Sequence, residues 1–147
     1  MNEMKWILLI HVGATLMMAG VIWIIQVVHY PLFDRVGSQT YTAYQSGHMS
    51  LITCIVMPLM LAELVTAGLL VLAQPPGVTP VQAWVGLVLV GVVWFMTAFV
   101  NVPQHSTLAI GFDSAVHQAL VTTNWVRTLA WSARGVLVLW MVSGAMR

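Results

Sequence analysis

The hydrophobic pattern divides the chain into four long apolar runs, at about residues 6–28, 51–73, 81–102 and 124–145. Each comes close to the ~20 residues that carry a helix across a bilayer core. None alternates with period two, so helices rather than barrel strands are expected. The connections are unequal. QPPGVTP, residues 74–80, is a tight Pro/Gly turn between the second and third runs. Residues 30–47 and 103–123 form longer connections that hold most of the polar positions. In them Ser38 and Asp113 are placed to cap helices that run on into the second and fourth spans. Those two helices are therefore expected to project past the bilayer on one side. The predicted fold is one all-α domain over residues 1–147, an integral membrane four-helix bundle.

Composition supports that reading. The chain is 60% hydrophobic and only 6% charged, against about 25% charged in an ordinary soluble domain. Its mean hydropathy is +0.91, more apolar surface than a soluble protein of this size can bury. The formal net charge of +1 comes with no basic patch, so nucleic-acid binding has no support. A single cysteine, Cys54, excludes an intrachain disulfide and a cysteine-based zinc site, and its apolar surroundings suggest a buried small hydrophobe. MNEMK and the long run after it do not read as a signal peptide. Lys5 and Arg147 on the terminal side, against Arg35 on the loop side, place both termini in the cytoplasm of a bacterial plasma membrane.

The polar residues then fall into two levels. His29, His48, His105 and His117 end or open four different spans on one membrane face, and His11 alone lies toward the other. At ~100° per residue, His11, Thr15, Met18, Ile22, Gln26 and His29 share a stripe on the first helix. Gly91, Trp94, Ala98, Asn101 and His105 share one on the third. His117, Asn124, Thr128, Trp131 and Gly135 line up on the fourth, with Arg127 and Arg134 on an adjacent stripe. Glu63 and Arg134 sit near mid-span of helices two and four, at similar depth in an antiparallel bundle. An unpaired charge there costs at least ~2.5–3.5 kcal/mol, so a Glu63–Arg134 ion pair, or Glu63 with Arg127, is expected. Such a pair is either a structural clamp or the floor of a polar cavity. Pro58 is placed to kink helix two and free backbone carbonyls there.

Imidazole suits copper, iron and zinc, so His29, His48 and His105 are candidate cofactor or metal ligands, with His117, Asp34 or Glu63 as additions. A single haem held by two facing histidines is a further candidate. No HxxxH, HExxH or CxxC spacing occurs, and the ten methionines scatter as core filling.

Asn101-Val-Pro103, a polar stretch of about twenty residues, and Asn124-Trp-Val-Arg127-Thr128 entering the last span resemble the anthrone oxygenase-like family of small four-helix membrane proteins. Its members show an Asn-Val-Pro turn after helix three and an Asn-x-x-Arg-Thr start to helix four. The sequence departs from it at Gln104 and His105, where members often have Asn. The resemblance implies that Asn101, Asn124, Arg127 and Thr128 lie near a functional cavity, and the namesake members oxidise an anthrone to an anthraquinone.

These features together predict an oxidoreductase or oxygenase acting on a small lipophilic or aromatic substrate, with or without copper or iron. His29, His48 and His105 are expected at the rim of a cavity open to the non-cytoplasmic face. Asn101, Asn124 and Arg127 are expected in its wall, with Glu63 and Arg134 at its base. Arg127, Asn101, Asn124 and Glu63 are the candidate catalytic residues. The alternatives are an accessory subunit bound to a membrane-protein partner in a respiratory or photosynthetic complex, or a small metal-handling or transport protein.

Overall fold

The computed structural model describes residues 2–146 and is an all-α, four-helix membrane bundle. Helix one comprises Asn2–Ile24, a π-turn at Ile25–His29 and a 3-10 turn at Pro31–Arg35. Helix two is Tyr41–Leu72. Helix three comprises Pro80–Met96, a π-turn at Thr97–Asn101 and a final α segment, Val102–Ile110. Helix four is Ser114–Ala145. Each rod holds a stretch of 31 or 32 residues that is long and apolar enough to span a membrane. Ile24, Val65, Val88, Phe99 and Val136 are among the large apolar side chains left exposed, and such a surface suits lipid rather than water.

All four rods, not only helices two and four, exceed the length of a bilayer core. The expected linker after residue 102 is helical instead, and only Gly111–Asp113 separates helices three and four. Pro103 does not end helix three. It stands just after the π-turn, where Val102 N–H still bonds five residues back to Thr97. At this changeover in pairing its missing N–H disrupts little.

The helix ends show which local signals hold. Asp113 caps helix four, its Oδ1 accepting from Ala115 and Val116 N–H at 2.8 and 3.0 Å. Thr79 and Gln82 form a capping box at the start of helix three, with Pro80 in its first turn. Gly77, at φ +86°, lets the 74–80 turn pack directly on the Gly144 backbone. Ser38 caps nothing. It lies in a turn, and Thr40 takes the cap position of helix two without a side-chain bond. Cys54 is exposed on the outer face of helix two rather than buried. Pro58 is also exposed and is not among the residues of the cavity that Arg127 lines. Arg147 lies outside the described residues.

The helix-one stripe is the buried face as expected, with only His29 partly exposed. The helix-three stripe holds at Asn101 and His105 and then fails. Gly91 and Ala98 are exposed and Trp94 half-buried, whereas Gly86, Val90 and Val93 point inward. The π-turn is the reason. Its extra residue shifts the face by about 100°, so the inward line runs through Thr97 and Val93 instead of Ala98 and Trp94.

Two buried clusters fill the bundle. One, toward the loop side, is built around Met18, Ile22, Phe33, Tyr41, Met60 and Trp131. The other, toward the termini, is built around Leu70, Val78, Ala83, Val138 and Met141.

Candidate functional site

Two arginines on one face of helix four organise the buried polar groups. Arg134 is bonded through every nitrogen. Its Nε and Nη2 donate to Glu63 Oε1 at 3.2 and 3.0 Å, Nη2 also to Thr15 Oγ1 at 3.1 Å, and Nη1 to the Gly86 carbonyl at 2.6 Å. Trp131 Nε1 donates to Glu63 Oε2 at 2.9 Å. One guanidinium thus ties helix four to helices one, two and three. The expected Glu63–Arg134 pair forms, as a clamp without an open side. Below it His11 Nδ1 meets Thr66 Oγ1 at 2.7 Å.

Arg127 is different. It is 5% exposed, no carboxylate pairs with it among the described residues, and its Nε has no hydrogen-bond partner. Its guanidinium carbon lies 5.4 Å from the centre of the Trp131 ring, and the Tyr30 hydroxyl is beside it. It lines a cavity of about 120 Å³ walled mainly by Ile25, Met49, Ile52, Val56, Met57 and Met60, with Tyr30, His48, Asn101 and His105 among its other polar members. Thr53, Met57 and Val102, all on this wall, are exposed. The mouth therefore lies sideways between helices two and three. The cavity does not open toward the loop face, and Glu63 and Arg134 are not its base.

Both π-turns border this space. Ile25 belongs to the first and Tyr30 adjoins it, and Thr97, Asn101 and Val102 belong to the second or adjoin it. By widening one turn each, they swing the ends of helices one and three so that Tyr30 and His105 meet across the bundle. Tyr30 Oη lies 2.7 Å from His105 Nε2. Gln45 Nε2 donates to His105 Nδ1 at 2.7 Å. Because that nitrogen accepts, His105 carries its proton on Nε2 and donates it to the Tyr30 oxygen. The Tyr30 hydroxyl proton is left for another acceptor.

Three buried atoms on this cavity's lining residues have no partner: His48 Nε2, Asn101 Oδ1 and Arg127 Nε. Buried polar atoms are nearly always paired, and a ligand's polar end placed in this cavity would find three unpaired partners. Arg127 and Tyr30 offer donors and Asn101 Oδ1 an acceptor, while His48 Nε2 serves as either.

The other candidates sit elsewhere. Asn124 is not in the cavity wall: its Nδ2 donates to Gln26 Oε1 at 2.8 Å, and Thr128 Oγ1 donates to the same oxygen at 3.3 Å. With Gln26 Nε2 on the Val121 carbonyl, these residues fasten helix one to helix four. His117 does not join the histidine group. Its Nε2 bonds the Tyr30 carbonyl at 2.8 Å, and Phe33 lies between it and the rest. Asp34 pairs with Arg35 on the surface.

The histidines do not suit a metal. Among the described residues no three His, Cys, Asp or Glu side chains converge as an ion would require. Both His105 nitrogens are bonded, and His29 Nε2 and His48 Nδ1 face each other at 2.9 Å. Only His48 Nε2 is free within the cavity. An Arg127 guanidinium in the same space opposes copper or iron, and one free imidazole nitrogen does not make a two-histidine haem site. Tyr30, Gln45 and Gln26 were not among the candidates. They carry no charge, and only the geometry shows what they hold. The chain matches no protein-family model, no curated protein and no solved structure.

Proposed function

We propose that this chain is a bacterial plasma-membrane oxidoreductase of the oxygenase kind, with both termini cytoplasmic. It takes a small lipophilic substrate sideways from the bilayer. The observation behind this reading is the set of unpaired polar atoms on His48, Asn101 and Arg127 around one apolar cavity. A cation without a counter-charge suits a substrate whose polar end carries or develops negative charge, and the methionine and isoleucine walls suit an aromatic or aliphatic body. The likeness of Asn101-Val-Pro103 and Arg127-Thr128 to the anthrone oxygenase-like family supports the reaction class.

In this mechanism the substrate's carbonyl oxygen faces Arg127 and the Tyr30 hydroxyl. His48 Nε2 removes a proton from the activated CH2, which lies across the ring from that carbonyl and is conjugated with it, and Arg127 stabilises the enolate oxygen that results. Dioxygen is the oxidant. The activated CH2 becomes a carbonyl with one of its oxygen atoms, and the other leaves as water with the two hydrogens. No metal takes part.

The test is oxygen uptake by the protein in lipid nanodiscs with anthrone. One O2 consumed and one anthraquinone formed per anthrone are expected, above the rate in empty nanodiscs. Arg127→Met and His48→Gln should each lower the rate by about 10²-fold or more. Uptake equal to that of empty nanodiscs overturns the proposal, and a stoichiometric membrane-protein partner in mild detergent would then favour an accessory subunit.

A further inference from the structure

His48 has a second ring nitrogen, and it points away from the cavity. Its Nδ1 lies 2.9 Å from His29 Nε2, with the ring centres 4.6 Å apart. His48 lines the cavity on one side. On the other it borders an outward groove with His29, Tyr44, Gly47 and Leu51. His48 is buried, whereas His29 is partly exposed in that groove. The pair therefore bridges the apolar cavity and the edge of the fold, and the π-turn Ile25–His29 is what places the second ring there.

Two imidazoles at this distance share one proton, one ring donating and the other accepting. Among the described residues no carboxylate enters the arrangement. The rings nearest the pair are Phe33, Tyr30 and Tyr44, together with His105, 5.4 Å from His48. A proton taken up at His48 Nε2 sets a second cation in a low-dielectric space that already holds Arg127, and like charges there repel strongly. Movement of charge to His29 relieves that repulsion.

We propose that His48 and His29 form a two-imidazole proton relay from the cavity to the groove. At rest His48 carries its hydrogen on Nδ1 and donates it to His29 Nε2. When Nε2 of His48 takes a proton from a ligand, the Nδ1 hydrogen passes to His29. The charge then rests on the ring at the fold's edge. When the cavity next needs a proton, for the water released in the oxygenase reaction, the same hop runs backward and restores both rings. The role of the relay rests on the proposed base function of His48, but the shared proton belongs to the protein alone.

The test is nitrogen-15 NMR of histidine-labelled protein in nanodiscs, with no substrate. The wild type should show the His48 hydrogen on Nδ1 and a coupling across the hydrogen bond to His29 Nε2. Exchange of that hydrogen with water should slow several-fold in both His29→Phe and His29→Gln, because neither side chain passes a proton on. Absence of the coupling, or unchanged exchange in both variants, overturns the relay. Slowing in His29→Phe alone also overturns it, since His29 would then only keep a water path open. A relay seen in a protein that leaves anthrone untouched removes the oxygenase reading alone. Full turnover by His29→Gln removes the relay alone.

Discussion

Arg127 and Arg134 stand seven residues apart on one face of the same helix, and both are buried. They differ in what surrounds them. Arg134 reaches a carboxylate, a hydroxyl and a backbone carbonyl from three other helices, so its charge is neutralised and its donors are used. Arg127 meets an aromatic face, a phenol and the apolar cavity. The first arrangement holds the fold together. The second leaves a buried cation without a counter-charge, which on its own costs stability.

The largest effect should come from breaking the satisfied arginine. Glu63→Ala leaves a buried guanidinium without its carboxylate, a loss of about 3–5 kcal/mol. In detergent unfolding it should abolish a cooperative transition. Glu63→Gln with Arg134→Gln should cost less than the two single changes added together, and additive losses would mean the pair is not coupled. Next, Gln45→Leu strips His105 Nδ1 of its donor and should cost about 1–3 kcal/mol. The Tyr30–His105 contact should loosen with it, which a shift of the His105 ring resonances would report. Arg127→Met should act in the opposite direction: stability unchanged or raised by about 1 kcal/mol, because an uncompensated buried charge is removed, while anthrone turnover is lost. A clear loss of stability would put Arg127 in the same class as Arg134. The smallest effect belongs to Asn101→Ala. Its two bonds to Gln104 and Thr123 are long, at 3.3 Å each, so a cost below about 1 kcal/mol is expected, again with reduced turnover. Asn124→Ala, breaking the fastening to Gln26, should cost more than Asn101→Ala in the same thermal scan.

The clamp was legible in the sequence because physics leaves few choices for a charge at mid-span. Glu63 and Arg134 are at matching depth, and each needs the other. The four helices were legible from apolar runs for a similar reason. The metal reading failed at a finer scale. Residue numbers bring His29, His48 and His105 to one level, but the direction of a ring nitrogen depends on one turn of backbone, and here the nitrogens are turned toward each other, Tyr30 and Gln45. Pro103 misled for a related reason. As a helix terminator it suggested a linker, whereas a widened turn just before it lets the helix continue to Ile110. A period of 3.6 read over a few turns does not reveal one extra residue. That single residue decided whether Ala98 or Thr97 faced inward.

The two π-turns have a consequence for how such a site is gained or lost. Each amounts to one residue inserted in a helix. Removing one residue from 25–29 or from 97–101 restores ordinary α pairing and turns everything beyond it by about 100°. Tyr30 would then leave the cavity and His29 its place beside His48, or Asn101 and His105 would leave the cavity, without any of them being substituted. A relative that lacks this site need not differ at its polar positions. When the two chains are aligned, the loss would show as a one-residue gap in the middle of a membrane helix.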